Sequence, residues 1–272
     1  MTTDIATAVQ FIGATDTQGF PPAAAWETAP PLRFDADWQG KNPDALRETE
    51  VRLLWTPEAL YLRFQARYRN INVFVDAEPD GRRDELWDRD VAEAFLQPDP
   101  SAPGRYKEFE ISPNGFWIDL DIAPGEKRDL QSGLKRRVQI NENEKLWVGE
   151  LSIPMKSLVT RFDRAAIWRA NFYRVEGPTE PRFYSAWRPT GTPQPNFHVP
   201  KAFGRLIFVE PPSPHSIRND AITRKLSAAS GSNPARQVWD TVRWSPGRWL
   251  EPVSRQPSPA LSRKQALLSA SY

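Results

Sequence analysis

The chain has 272 residues, 39% of them hydrophobic and eleven of them Trp, with a formal net charge of +2 at pH 7. That is enough apolar material for one large core or two small ones, and the absence of cysteine excludes disulfides, thiolate metal centres and a cysteine nucleophile. Residues 210–272 hold 9 Lys and Arg against 4 Asp and Glu, whereas residues 1–209 hold 27 against 30, so the body of the chain is mildly acidic, which argues against nucleic-acid binding.

Residues 1–29 are rich in Ala, Thr and Pro, with Val9, Phe11 and Ile12 as a short apolar patch. They read as a loose N-terminal arm that contributes at most an edge strand. No basic stretch followed by an apolar one marks a secretory signal, and no run reaches the about 18 apolar residues of a membrane span. The compartment is left open. Leu32 and Phe34 begin the domain. Residues 50–55 and 59–68 flank Thr56, Pro57 and Glu58, an antiparallel hairpin with a short turn. In its second strand Leu60, Leu62, Phe64, Ala66 and Tyr68 alternate with Tyr61, Arg63, Gln65 and Arg67, which predicts a half-buried strand.

Residues 70–86 form a short apolar piece followed by an acidic loop. Asp76, Glu78, Asp80 and Asp84 are oxygen donors close enough in sequence to surround a hard cation such as calcium, although their spacing is not that of an EF-hand. A solvated acidic loop is the alternative. The strand at 88–96 places Val91, Glu93 and Phe95 on one face and Ala92, Ala94 and Leu96 on the other. A carboxylate in so apolar a strand must face solvent, pair with an Arg of a neighbouring strand or meet a polar ligand.

Residues 106–112 and 116–122 flank Pro113, Asn114 and Gly115, a hairpin signal because Asn-Gly suits turns with positive φ. Residues 134–140 and 146–153 make another hairpin, and 154–158 a single helical turn opened by proline. The aromatic stretch 168–208 supplies three more strands, at 167–175, 183–187 and 204–209. Trp187 stands where a strand gives way to a loop, either presented to a ligand or plugging one end of a core. With roughly nine to eleven short strands and close turn signals, the fold class is all-β, an antiparallel β-sandwich over residues 30–209. Residues 210–272, with 8 Pro and 11 Ser, read as a disordered tail. Trp239, Trp244 and Trp249 in that tail offer contacts to a partner, with a spacing of five that fits neither a helix nor a strand.

Two segments carry a family resemblance. YSAWRPT followed by NFHVPKAFGRLIF, preceded by WRANFYRVEG, and the separate WDRDVAEAFL with Trp87, Asp90 and Glu93 in a W-x-x-D-x-x-E register, resemble the family 9-like carbohydrate-binding modules. These are relatives of the DOMON-type, immunoglobulin-like β-sandwiches. The resemblance spans most of residues 30–209. It implies non-catalytic binding of a mono- or oligosaccharide, a sugar ring held between loop tryptophans, here Trp87 and Trp187, and a hydrogen-bonding carboxylate at Glu93. It also implies service to carbohydrate catabolism beside glycoside hydrolases, no required cofactor and a structural calcium. Where the family's strand supplies a basic residue, this chain has Glu108 and Glu110.

Two other chemistries compete with that one. A glycosidase needs two carboxylates at a set separation, and Glu93, Glu108, Glu110 and Glu150 all lie in or beside strands without a spacing that selects a pair. Some DOMON-type sandwiches bind haem through Met and His, and Met155 with His198 is the pair this chain would offer.

Overall fold

A computed structural model describes residues 4–211; the tail and its three tryptophans lie outside the described residues. Thirteen strands form one continuous, curled sheet. In chain order they are β1 (Ile5–Gln10), β2 (Leu32–Phe34), β3 (Thr49–Trp55), β4 (Ala59–Arg67), β5 (Val91–Gln97), β6 (Tyr106–Ile111), β7 (Trp117–Ala123), β8 (Glu126–Asp129), β9 (Lys135–Asn141), β10 (Leu146–Pro154), β11 (Trp168–Glu176), β12 (Phe183–Ala186) and β13 (Gly204–Val209). The hydrogen-bonded order is β8-β7-β6-β5-β11-β13-β1-β3-β4-β10-β9, with β12 added to β11 and β2 to β3. The curl turns two halves face to face in the manner of a β-sandwich.

The predicted alternation decides which side chains meet between the halves. Ala92, Ala94 and Leu96 of β5, Phe109 and Ile111 of β6 and Phe172 of β11 pack with Leu53, Leu60, Leu62, Phe64, Trp147 and Leu151 from β3, β4 and β10 in the main core. The alternate residues of β5, β6 and β11 therefore point to the other side of their half. There Val91, Phe95, Tyr106, Tyr173 and Val175 join a second apolar cluster with Phe197 and Phe203. The Asn-Gly turn forms as read, with Gly115 at φ +84 and the Ser112 N–H donating to Phe116. The helical turn after Pro154 is Met155–Leu158.

The N-terminal segment departs from the expectation of a loose arm. β1 is inserted between β13 and β3 and pairs parallel with both, so it is an inner strand and not an edge. The following residues then cross the outer face of β3 and β4. Trp26, 1% exposed, packs with Val9, Leu54, Ala59 and Tyr61. Arg52 donates to the carbonyls of Trp26 (3.1 Å) and Ala29 (2.9 Å), and Asp16 pairs with Arg137. This cover is why β4, read as half-buried, is buried on both faces nearly throughout. The charges it encloses are paired as burial demands: Glu150 lies between Arg137 (2.6 Å) and Arg63 (3.6 Å), and Glu50 holds Arg52 (2.6 Å) and Arg33 (2.5 Å).

Candidate functional site

On the face of β5 and β6 turned away from the main core lies a cavity of about 300 Å³. Glu93, Phe95 and Glu108 line it from the two strands, Val175 and Tyr184 from β11 and β12, Lys127 from β8, and Trp87, Arg182, Asn196 and His198 from the connecting segments. The second aromatic cluster builds its walls. Phe197 stacks on Tyr173 with centroids 4.1 Å apart, and the Tyr173 hydroxyl donates to the Phe197 carbonyl (3.0 Å). The Tyr106 hydroxyl meets His198 Nδ1 at 2.6 Å. Burial, and then the Glu108 and Glu93 carboxylates, push the Tyr106 phenol far above its usual range, so it stays protonated.

The W-x-x-D-x-x-E motif has three separate roles here. Trp87 sits half-buried in a 3-10 turn, Leu86–Asp88, just before β5, with the Lys127 ammonium 3.9 Å above its ring. Its carbonyl accepts from Arg182 (2.7 Å). Asp90 is fully buried and does not line this cavity; it accepts the N–H groups of Asn72 (3.0 Å) and Gly177 (2.8 Å) and so ties the entry of β5 to two loops. Glu93 reaches the cavity floor, 2% exposed. Across β6 stand Glu110, directly opposite Glu93, and Glu108, opposite Phe95. Burial raises the carboxyls of Glu93 and Glu110 well above the usual range, and their neighbouring carboxylates raise them further.

Three expectations are corrected by this geometry. Trp187 is 2% exposed and belongs to the main core. Its backbone N–H donates to the Phe172 carbonyl (2.9 Å) and its ring lies 5.7 Å from that of Phe172, so the indole plugs the core and does not line the cavity with Trp87. Of Asp76, Glu78, Asp80 and Asp84, no three bring ligand oxygens within 4.8 Å of one another. Asp84 and Asp76, 72% and 77% exposed, pair instead with Arg82 (2.7 Å) and Arg83 (3.9 Å). Two of the four acids are thus paired with the loop's own arginines. Finally, Met155 packs in the main core while His198 lies on the far side of β5 beside Phe95, so the two do not form a haem-ligating pair. Lys127, Arg182, Tyr184 and Asn196 were not foreseen as lining residues; they arrive from β8, β12 and loops, and no local pattern marks them.

A curled antiparallel sandwich with a recessed pocket of aromatic, carboxylate and basic side chains is the architecture of a ligand-binding module. The chain belongs to carbohydrate-binding family 9, whose model matches residues 37–208. It is similar to an extracellular protein of Arthroderma benhamiae, 24% identical over 222 residues that cover 75% of this chain and 96% of that one. Among solved structures it resembles a Bacteroides uniformis chain assigned as a carbohydrate-binding protein, with TM-score 0.60, 18% identity, and 75% and 98% of the two chains covered. It also resembles a family 9 module from Caldicellulosiruptor kristjanssonii in complex with cellotriose, with TM-score 0.53, 14% identity, and 78% and 96% covered. The same module in complex with glucose gives TM-score 0.53 and 14% identity over 77% and 97%. Among the described residues no helix is long and apolar enough to cross a membrane.

Proposed function

We propose that the cavity beside Trp87 and Glu93 binds a saccharide unit and that the chain acts as a non-catalytic carbohydrate-binding module. The observation that carries this reading is that two motif residues six positions apart, one a partly exposed indole and one a carboxylate, line the same cavity. Sugars expose apolar C–H faces edged by hydroxyls. Trp87 supplies a flat apolar platform, and Glu93, Glu108, Asn196, Lys127 and Arg182 supply acceptors and donors around it. The platform is a single indole, with Tyr184 and residues 195–198 also lining the cavity. The Lys127 ammonium lies 3.9 Å over the indole, so a sugar ring stacking on that face would have to displace it. The structures of a family member with cellotriose and with glucose support this ligand class. Recruiting a glucan for breakdown by separate hydrolases is the role this binding would serve.

Glucose, cellotriose and a glycan array are the probes. Wild-type protein should bind a subset measurable by calorimetry, and Trp87→Ala should lose on the order of 1–3 kcal/mol of affinity, the usual value of a desolvated aromatic contact. Because Trp87 is half-buried, its removal should change the unfolding free energy far less than that of a core indole. No binding to any glycan tested, or undiminished binding by Trp87→Ala, would sink the assignment.

A further inference from the structure

Glu93, Glu108 and Glu110 each present a carboxylate oxygen, and these oxygens lie within 4.8 Å of one another; among the described residues no other three His, Asp or Glu gather this way. Strand register forces them together, since Glu93 stands opposite Glu110 and Glu108 is two residues along on the same face. Like charges directly across a sheet repel, and all three are buried. No Lys or Arg forms an ion pair with any of them among the described residues, and the two nearby cations are engaged elsewhere. Lys127 lies over the Trp87 ring, and Arg182 donates to Glu180, Tyr184 and the Trp87 carbonyl. Apart from the contact between Glu108 and Glu110 themselves, both oxygens of Glu110 and Oε2 of Glu108 have no hydrogen-bond partner. Glu110 is 0% exposed. An unpartnered carboxylate at that depth lacks a positive partner, because native structures pair nearly all buried polar atoms.

We propose that Glu93, Glu108 and Glu110 bind one hard divalent cation, calcium first among them, beneath the floor of the cavity. An all-oxygen, anionic donor set selects such ions over softer ones. Oxygens no more than 4.8 Å apart fit around a single ion with metal–oxygen distances of roughly 2.3–2.6 Å. Three carboxylates supply about three to six of the six to eight oxygens calcium takes, and the remaining positions open toward the cavity, which Glu93 and Glu108 line. Hydroxyls of a bound sugar would complete the shell there. This last step rests on the saccharide reading; the cation site does not.

The test uses the full chain, stripped with chelator and dialysed. Calorimetry with calcium chloride should show one ion per chain, and saturating calcium should raise the melting temperature by at least about 3 °C, as expected of a ligand selective for the native state. Glu110→Gln and Glu93→Gln should each weaken calcium binding by about tenfold or more through lost ligand charge, while melting at or above the stripped wild type because each relieves the crowding of three buried carboxyls across paired strands. Asp84→Asn should leave calcium binding unchanged. The site is overturned if stripped wild type takes up no stoichiometric calcium, magnesium or manganese. It is equally overturned if the calcium effect survives both Gln substitutions and disappears in Asp84→Asn. Glucose and cellotriose affinities in calcium and in chelator then separate the two claims. A cation that binds without changing them upholds the site and removes sugar ligation, and a protein that binds no sugar at all still reports on the cation.

Discussion

The indole of Trp187 lies directly over Gly204, where an added Cβ would come within 2.6 Å of the ring and 2.7 Å of the Asp4 carbonyl oxygen. Only glycine leaves room for the ring between β13 and the segment entering β1. Trp187→Ala should therefore destabilise by roughly 3–5 kcal/mol, as for other buried aromatics. Gly204→Ala should cost roughly 1–3 kcal/mol by overpacking. Urea denaturation of both variants checks this, and a Trp187→Ala protein as stable as wild type would contradict the core placement.

Asp90 is the motif residue that does not line the cavity. Substitution by Ala leaves two part-buried N–H groups, of Asn72 and Gly177, without their acceptors, each costing at most about 1–3 kcal/mol, the value for a fully buried group. The expected outcome is a folded but less stable protein whose sugar affinity falls because Trp87 and Glu93 lose their seat. Asn, which keeps an acceptor oxygen and no charge, should recover part of both. Equal loss in the two variants would point to charge and away from hydrogen bonding.

The N-terminal strand yields a sharper test. Deleting residues 1–12 opens both β13 and β3, the two neighbours of β1, and removes the chain that leads into the cover over β4. The truncated protein should lose its cooperative thermal transition, and hydrogen exchange should rise in β3 and β13. A truncation that melts like the full chain would make β1 an ornament of the sheet.

Stability should respond to pH through Glu48, part-buried just before β3. Burial pushes its carboxyl above the usual range, and nearby Arg33 only partly counters this. A folded-state pKa above the unfolded one gives a contribution that is present below the unfolded pKa and lost as pH rises through the folded one. Glu48→Gln should therefore be more stable than wild type at pH 7, with the gap closing as pH falls toward about 4. Denaturant midpoints measured across that range decide it, and a gap that widens on acidification would reverse the sign.

Most of the strands were legible in the sequence because each rests on local physics. Period-two alternation marked 167–175 and 88–96, observed as β11 and β5, and the Asn-Gly turn fixed the register of β6 against β7 (Tyr106 opposite Ile122). The motif likewise named Trp87 and Glu93, which the structure sets on one cavity. Three strands escaped that reading for the same reason. β1 is Ala- and Thr-rich, β2 has three residues, and β8 is Glu-Lys-Arg-Asp, fully exposed; each is a strand because a neighbour's unpaired edge makes it one. Trp187 was ambiguous, since a residue at a strand end can turn either way, and Gly204, seventeen positions later, decided it by leaving space beneath the sheet. The meeting of Glu93 with Glu108 and Glu110 depends on which strand β5 pairs with and in what register. Alternation within one strand carries no information about the partner across from it, so the charge cluster at the pocket floor belongs to the tertiary structure alone.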